Sequence, residues 1–208
     1  MTRSSDAFVA QDGAIDRHRR LWLVRHGEST WNASGLVQGH LDPGLSGSGR
    51  EQADRCARSL AAGPRADVAL YASDLRRALE TAAPIAKALG LAVRVEPELR
   101  ERSLGDAEGR PNALLDTTRS GIEGGRVVDA DSAPDGGESV RQLYERAVRC
   151  ASRILSTHGG DVVFVCHGGV VRVLLAWLDG VEPDEMTWPE IQNAAPILRN
   201  LPSALICA

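Results

Sequence analysis

The chain has 208 residues, of which 43% are hydrophobic and 25% charged, and its formal net charge is −4. This composition is typical of a globular protein with one sizeable core. The negative net charge argues against nucleic acid as the main partner, because proteins that bind nucleic acid present a basic surface. No apolar run approaches the roughly 20 residues that a membrane-spanning helix requires, which argues against a membrane partner.

The first twenty residues are polar and charged, without an apolar stretch. They predict a flexible tail over 1–20 and not a signal peptide. The cysteines show neither paired nor metal-ligand spacing, so we expect reduced, mostly buried thiols in a cytoplasmic protein. Cys166 precedes a histidine, but no base is placed to ionise it, so a structural thiol is favoured over a nucleophile. The cysteines are Cys56, Cys150, Cys166 and Cys207.

A short apolar run, Leu21–Val24, is followed directly by Arg25, His26 and Gly27. Four apolar residues in a row predict one buried strand. Such a strand would bring a guanidinium and an imidazole to the carboxyl edge of a sheet, where open α/β sheets bind ligands. A glycine there lets the backbone approach a ligand and leaves its N–H free to point inward. Guanidinium, imidazole and amide groups together suit a phosphoryl group, although a single histidine in this position is more often structural.

The next segments alternate between helix and strand. Hydrophobic periodicity and turn residues predict a helix, a strand, a second helix and a third strand, at Gly49–Leu60, Val68–Ala72, between Ser73 and Gly90, and at Leu91–Val95. Ser46 or Ser48 would cap the first helix and Ser73 the second, and Pro84 predicts a kink or a restart. This alternation favours a parallel sheet with helices on both faces.

Two adjacent arginines, Arg76 and Arg77, fall on the first turn of the second helix. A helix N-terminus already favours an anion through its free N–H groups and its macrodipole. An arginine at this point would therefore strengthen a phosphate site. Paired arginines are also common as solvated surface charge, so both interpretations stay open from the residues alone.

An acidic segment, Glu96–Gly109, follows the third strand. Such carboxylates normally face solvent. Cleavage of a phosphate ester nevertheless needs an acid to protonate the leaving oxygen, and this loop follows a strand on the same edge of the sheet. The segment is therefore a candidate source of that acid.

In the stretch 112–139 a short helical turn is predicted at Leu114–Thr118, and the part from Gly121 to Gly137 is rich in Gly and Asp and contains Pro134. Long segments of this kind are usually disordered or act as lids, and we interpret this one as a lid or insertion. Apolar patterns then predict a helix, a strand, a helix and a last strand, at Val140–Leu155, Asp161–Cys166, Val170–Leu178 and about Ala204–Cys207.

His167 and Gly168 follow the strand Asp161–Cys166, just as His26 and Gly27 follow the first strand. In a parallel sheet both histidines emerge at the same edge. Either histidine alone could be a hydrogen-bonded core residue. Two histidines together with two arginine-bearing loops at one edge are hard to explain by packing.

Four blocks together resemble the histidine phosphatase superfamily, also called the phosphoglycerate mutase-like family. They are RHGESTWN, SDLRRALETA, LRERSLGDAEG and VCHGGVVR, and APDGGES before the long helix adds to them. The resemblance extends from about Leu21 to Gly169. It implies a single domain over 21–208 with a three-layer α/β/α sandwich around a mostly parallel sheet. One departure is Ala107, where many members carry an aromatic residue.

The resemblance also implies a role for each matched residue. His26 attacks phosphorus and becomes a phosphohistidine. Glu101 protonates the leaving oxygen and then activates water, with Glu108 and Asp106 as the next candidates. The remaining residues would bind the phosphoryl group or the rest of the substrate, and they are Arg25, Arg77, His167, Asn32, Gln38, Gly27 and Gly168.

We therefore expect a phosphomonoester hydrolase that acts on a small phosphorylated metabolite without a metal or cofactor. A phosphoglycerate mutase is the alternative, but mutases of the family are longer and carry a basic loop where this chain is acidic and rich in glycine. A non-catalytic phosphoryl-binding module is a third alternative, although no catalytic position is lost. The possibility of a homodimer stays open.

Overall fold

The computed structural model describes residues 19–64, 67–114 and 120–201. Its strands in chain order are β1 (Arg19–Arg25), β2 (Val68–Ala72), β3 (Val93–Val95), β4 (Ile122–Glu123), β5 (Arg126–Val127), β6 (Asp161–Cys166) and β7 (Pro196–Leu201). Its α-helices are α1 (Thr30–Ala33), α2 (Gly47–Leu60), α3 (Arg76–Leu89), α4 (Val140–Thr157) and α5 (Gly168–Leu178). Among these helices, none is both long and apolar enough to cross a bilayer.

The main sheet has five strands in the order β3-β2-β6-β1-β7. The first four in that order run parallel, and β7 pairs antiparallel with β1 at the edge. All six residues of β6 are buried, as the uninterrupted apolar run Val162–Cys166 predicts for a central strand. The carboxyl ends of β2, β6 and β1 therefore meet at one edge, and the prediction of a mostly parallel sheet is confirmed.

Alternate residues of the central strands face two separate helical layers, because successive strand side chains point to opposite faces. Leu21 and Leu23 of β1 pack in one core with α4 and α5. Trp22 and Val24 pack in a second core with α2 and α3. The three-layer α/β/α sandwich is thereby confirmed.

The first strand is longer than predicted, because it begins at Arg19 and not at Leu21. Arg19 pairs with Leu201 of β7, and the Arg20 guanidinium donates to the Asp161 carboxylate with Nη2 at 2.8 Å. These contacts bring residues 19 and 20 into the sheet, so they do not belong to the predicted tail. The other residues of that tail lie outside the described ranges.

The helix starts and ends correct several details of the sequence interpretation. Ser46 caps α2, since its hydroxyl accepts the Gly49 N–H at 2.9 Å. The α3 helix begins only at Arg76, with no side-chain cap, so the predicted capping role of Ser73 is wrong. Pro84 does not cause a restart, because α3 runs as one helix past it. Packing of α3 on α2 and on the sheet supports it despite the missing N–H.

The last strand is found at Pro196–Leu201, upstream of the predicted position, and Ala204–Cys207 lies outside the described residues. The helical turn predicted from Leu114 overlaps a short 3-10 helix, Asn112–Leu114, at that one residue, and its other positions are not described.

Part of the stretch 120–139 is a small β4–β5 hairpin that packs on the rest of the molecule. Val127 and Ala130 are buried in the core beside α4 and α5. The Val127 N–H donates to the Met186 carbonyl at 2.9 Å, and the Trp188 N–H donates to the Gly125 carbonyl at 2.7 Å. The hairpin is thus fastened to the connection between α5 and β7.

Candidate active site

A cavity of about 310 Å³ opens at the carboxyl edge of the sheet. Six of the nine predicted site residues line it, and they are Arg25, His26, Asn32, Gln38, Arg77 and Glu101. His167 is fully buried and does not line the cavity, but its ring centre lies 5.2 Å from that of His26. Residues that are far apart in the sequence therefore come together at the edge where the strand pattern placed them.

His26 is only 2% exposed, and its Nδ1 lies 2.7 Å from the Gly27 carbonyl oxygen. A carbonyl only accepts hydrogen bonds, so Nδ1 carries the proton and Nε2 is left with a lone pair. Burial lowers the pKa of His26 well below its usual value, and the charges of Arg77 and Arg25 lower it further. A neutral imidazole with a free Nε2 is the form that attacks an electrophile.

The backbone around His26 is fixed from three directions. The His26 N–H donates to the Cys166 carbonyl at 2.9 Å, and the Asn193 amide donates to the His26 carbonyl at 2.8 Å. The Gly27 N–H donates to the Thr81 hydroxyl at 2.9 Å. The backbone that carries the imidazole is thus held by β6, α3 and the segment before β7 together.

Ser73 is hydrogen-bonded to His167, with its Oγ 2.9 Å from Nε2. The same hydroxyl oxygen accepts the Leu75 N–H at 3.3 Å, so its own hydrogen is free to point at Nε2. With the hydroxyl as donor to Nε2, the His167 proton lies on Nδ1, which is buried and has no hydrogen-bond partner among the described residues. Burial and the charge of Arg77 lower the pKa of His167 well below its usual value. His167 is thus a neutral imidazole with one N–H to donate.

The two predicted arginines are anchored by backbone carbonyls. Arg77 is fully buried and donates to the Leu41 and Gly39 carbonyls, both at 2.8 Å. Arg25 donates to the Ile191 carbonyl at 2.6 Å. The Nε atoms of both arginines are buried without a hydrogen-bond partner among the described residues. Two fixed guanidinium groups beside the imidazoles make a site for an anion.

From the residues alone, the two adjacent arginines could belong to a phosphate site or be solvated surface charge, and the resemblance assigned the site to Arg77. Arg76 points to solvent, where it forms an ion pair with Glu80 at 2.6 Å. Arg77 is the one that lines the cavity, as the resemblance implied.

Asn32 and Gln38 are oriented by Ser29. The Ser29 N–H donates to Asn32 Oδ1 at 3.1 Å, and the Ser29 hydroxyl donates to Gln38 Oε1 at 2.7 Å. Because both carboxamide oxygens are taken by Ser29, the NH₂ groups are the free ends of these side chains. Both residues can therefore donate to phosphoryl oxygens.

The Glu101 carboxylate packs against the first turn of α5. Its two oxygens accept the Gly169 N–H at 3.0 and 3.1 Å, and Oε1 also accepts the Arg102 N–H at 2.9 Å. A Cβ on Gly169 would come within 2.3 Å of Oε1, so only glycine leaves room for this contact. The Glu101 carbonyl oxygen accepts from His40 Nε2 at 2.8 Å and from Arg146 Nη2 at 3.3 Å. The carboxyl group is thus held in place at the cavity.

A family model described as the histidine phosphatase superfamily (branch 1) matches residues 21–198. The chain belongs to the histidine phosphatase superfamily. It is 38% identical to the glucosyl-3-phosphoglycerate phosphatase of Mycolicibacterium vanbaalenii over 181 residues, which are 83% of this chain and 79% of that protein. It is 42% identical to the phosphoglycerate mutase-like protein 4 of Arabidopsis thaliana over 165 residues, which are 73% of this chain and 67% of that protein. A solved structure of a mycobacterial glucosyl-3-phosphoglycerate phosphatase with VO₃ superposes with a TM-score of 0.74 at 34% identity, covering 86% of this chain and 90% of that one.

Within this histidine phosphatase, the alternative acid Glu108 has a different task. Its carboxylate accepts the N–H groups of His40, Leu41 and Leu104, at 3.0, 3.0 and 2.9 Å. It thereby ties the loop that anchors Arg77 to the loop that carries Glu101. Glu108 does not line the cavity, and Glu101 is the only carboxylate among the described residues that do.

The structure also corrects the expected role of Gly27. Its N–H does not face the cavity, because it donates to the Thr81 hydroxyl. A Cβ on Gly27 would lie 2.5 Å from the Gly49 carbonyl oxygen, so the residue permits close packing of this loop on α2. Gly168 is likewise absent from the cavity wall, and a Cβ there would lie 3.0 Å from Arg172 Nη1.

We expect Gly27→Ala to lower the free energy of unfolding by about 1–3 kcal/mol, because the methyl group meets backbone that cannot rotate away. Urea denaturation measures the effect. Gly47→Ala in α2 is the matched control, since a Cβ at Gly47 meets nothing within 4 Å. Equal stability of the two variants would contradict the packing role of Gly27.

Several residues that line the cavity were not predicted as site residues, and among them are Arg102, Arg172 and Trp188. Arg172 ends the VCHGGVVR block and lies one helical turn after Gly168, a spacing that places the two on one face of α5. Trp188 lies in an irregular segment, where no periodic pattern points to a site.

The remaining thiol and acidic clusters have ordinary structural environments. Cys166 is fully buried, and burial raises the pKa of its thiol, which agrees with a structural role.

Ligand atoms of Glu96, Glu98 and Cys150 lie within 4.8 Å of one another. Arg153 already donates to both of these carboxylates, at 2.8 and 2.9 Å. Its guanidinium group, and not a metal ion, therefore neutralises their charge.

Proposed function

We propose that this histidine phosphatase hydrolyses phosphomonoesters of small metabolites through a phosphohistidine at His26, without a metal ion. The main support is the buried His26, whose Nε2 keeps a lone pair, whose ring lies 5.2 Å from that of His167 and whose pKa is lowered by burial and by the charges of Arg77 and Arg25. A nucleophile beside fixed positive groups is what phosphoryl transfer requires, because charge on the equatorial oxygens must be stabilised in the transition state.

In the first step His26 Nε2 attacks phosphorus, and the bond from phosphorus to the ester oxygen breaks. The electron pair of that bond stays on the leaving oxygen, which takes a proton from the Glu101 carboxyl group. Arg25, Arg77 and the Nδ1–H of His167 stabilise the equatorial oxygens. The products of this step are the free alcohol and the phosphohistidine.

In the second step the Glu101 carboxylate accepts a proton from a water molecule as its oxygen attacks phosphorus. The bond between phosphorus and Nε2 breaks, and its electron pair returns to His26. Inorganic phosphate leaves, and Glu101 is again protonated. Atoms and charges balance over the two steps without a cofactor.

Support for hydrolysis also comes from the relatives, since the mycobacterial proteins similar to this chain are named as phosphatases.

The stretch 112–139 stays a proposed lid or insertion. Its described part contributes Asn112, Ser120 and Ile122 to the cavity wall, and none of these is a cation for a second phosphate. The cytoplasmic location, the single domain over 21–208 and the homodimer remain predictions.

We expect the protein to transfer the phosphoryl group to water and not back to a sugar acid. Incubation with 3-phosphoglycerate and 2,3-bisphosphoglycerate in oxygen-18 water should give labelled inorganic phosphate without 2-phosphoglycerate. A mutase must keep water out while its bisphosphorylated intermediate turns over. Rapid formation of 2-phosphoglycerate with little free phosphate would identify a mutase instead.

A further inference from the structure

His40 is a half-buried histidine that the proposed mechanism does not use. It lies between Gly39 and Leu41, whose carbonyl oxygens both accept from the Arg77 guanidinium at 2.8 Å. Residues 39–41 therefore form an anchor loop for the arginine that is proposed to bind the phosphoryl group. The His40 side chain does not line the active-site cavity that the described residues form, so a bound ester would not touch it.

The imidazole of His40 reaches from the anchor loop to the residue that is proposed as the acid. Its Nε2 lies 2.8 Å from the Glu101 carbonyl oxygen. A carbonyl only accepts hydrogen bonds, so Nε2 carries a proton in this contact. Both the neutral ring with its proton on Nε2 and the doubly protonated ring can donate, so the bond does not depend on the charge of the ring. One hydrogen bond thus joins the anchor loop to the backbone of Glu101.

Glu108 joins the same two loops at a different point. Its carboxylate accepts the His40 N–H at 3.0 Å and the Leu104 N–H at 2.9 Å. Leu104 follows Glu101 by three residues, so this contact keeps the loops together without fixing the acid itself. Loss of the His40 imidazole should therefore leave the anchor loop in place and let Glu101 turn.

Arg146 of α4 is the other side chain that donates to the Glu101 carbonyl oxygen. It donates to the Glu98 and Arg100 carbonyls at 2.6 and 3.0 Å, and to the Glu101 carbonyl at the longer distance of 3.3 Å. The shorter contact to the Glu101 carbonyl comes from His40. Of these two donors, His40 is the one that belongs to the anchor loop. It is therefore the one that relates the position of the acid to that of the phosphoryl group.

Such a link matters because general-acid catalysis depends on distance. The acid must come within hydrogen-bond reach of the leaving oxygen, at about 2.6–3.2 Å. A displacement of about 1 Å, caused by a change far from the chemistry, can cost about 10²-fold in rate. A leaving group that departs without a proton is not sensitive to the position of the acid. The contribution of the link should thus depend on the basicity of the leaving group.

We propose that His40 is a positioning residue that sets the distance between the Glu101 carboxyl group and the phosphoryl group bound at Arg77. Its Nε2–H fixes the Glu101 backbone relative to the anchor loop. The bond thereby determines how readily esters with basic leaving groups are cleaved. This inference rests on the proposed function, because it assumes that Glu101 protonates the leaving oxygen.

Replacement of His40 by leucine tests the link, because leucine lacks the N–H and leaves the backbone contacts of the loop unchanged. A second cavity, of about 470 Å³, borders His40, so the new side chain has free space beside it. We expect kcat/KM to fall about tenfold on glycerol 3-phosphate and less than about threefold on para-nitrophenyl phosphate, in line with the loss of one hydrogen bond. The inhibition constant of inorganic phosphate should stay unchanged, because Arg77 keeps both carbonyl contacts.

A conservative variant separates positioning from a general structural role. His40→Gln keeps an amide N–H near the position of the imidazole Nε2–H and should restore most of the lost activity on glycerol 3-phosphate. His158→Leu is the matched control, because His158 Nε2 also lies next to a backbone carbonyl, that of Asp161, at 3.1 Å. This control should leave the ratio of the two kcat/KM values unchanged. Equal losses on both substrates in His40→Leu, or no recovery in His40→Gln, would overturn the inference.

The Glu101→Gln protein connects this test to the proposed function. Once Glu101 no longer donates a proton, His40→Leu should not change the ratio further, and a further change would overturn the positioning role. Equal losses on both substrates in Glu101→Gln would overturn the proposed function and this inference with it. A Glu101→Gln protein that discriminates between the substrates, together with an unchanged ratio in His40→Leu, would overturn the inference alone. Both values of each ratio come from one protein, so any loss of folded molecules cancels.

Discussion

Replacement of His26 by alanine should abolish phosphate release, with a loss of about 10⁴-fold or more, because loss of the nucleophile removes the first covalent step. The fold should survive the change. The His26 backbone keeps its bonds to Cys166 and Asn193, and the described bond of the imidazole goes only to the neighbouring Gly27 carbonyl. Release of para-nitrophenol from its phosphate ester measures the activity, and a thermal unfolding curve measures the folded state.

The intermediate gives a second measurement of the same prediction. Rapid quenching of the unsubstituted protein without acid should place a phosphate mass on the peptide that contains His26. His167→Ala is the control, because it removes a hydrogen-bond donor and keeps the nucleophile. A phosphate mass on the His167 peptide, or substantial activity of His26→Ala, would show that the roles of the two histidines are wrongly assigned.

The central strands could be predicted from the sequence because their signals are local. Val68–Ala72 is an apolar run, and Asp161–Cys166 is apolar from Val162 onward; both strands have the predicted bounds. A strand followed by His-Gly occurs twice, and parallel strands bring such endings to one edge. The pairing of His26 with His167 therefore follows from topology alone.

Ser73 shows where local reasoning fails. A serine just before a helix is a good cap by its chemistry, and the sequence interpretation used that rule. In the folded chain His167 lies 2.9 Å away, and the hydroxyl is hydrogen-bonded to the imidazole instead. A tertiary partner that follows 94 residues later in the chain decides the role of the side chain.

The segment between α5 and β7 shows a second reason why part of the site could not be predicted from the sequence. It supplies Trp188 and Asn193, which contact Arg172 and the His26 carbonyl. Its backbone is irregular, so no periodic pattern marks which side chains turn inward. The edge strand that follows contains Arg199 and Asn200 and is only partly buried, which gives a weak strand signal.

Replacement of Glu101 by glutamine should reduce kcat/KM far more on glycerol 3-phosphate than on para-nitrophenyl phosphate. An alkoxide is a basic leaving group and needs the proton, whereas nitrophenolate leaves without it. We expect a loss of about 10²-fold or more on the first substrate and less than about tenfold on the second. Glutamine keeps a side-chain oxygen for the Gly169 and Arg102 N–H groups, so the geometry should be preserved.

The second step sharpens this test. The Glu101→Gln protein also lacks the base that activates water, so its phosphohistidine should accumulate on para-nitrophenyl phosphate. A rapid burst of nitrophenol followed by slow turnover would reveal that accumulation, since kcat falls while kcat/KM changes little.

Glu108→Gln is the matched control for the role of Glu101, because Glu108 binds three backbone N–H groups and does not line the cavity. Its replacement should disturb the loops under Arg77 and Glu101 and slow both substrates by a similar factor, without a burst. If Glu101→Gln behaved in that way and Glu108→Gln discriminated between the two leaving groups, the acid role would move to Glu108. The ratio of the two kcat/KM losses thus distinguishes a proton donor from a group that only holds the loops.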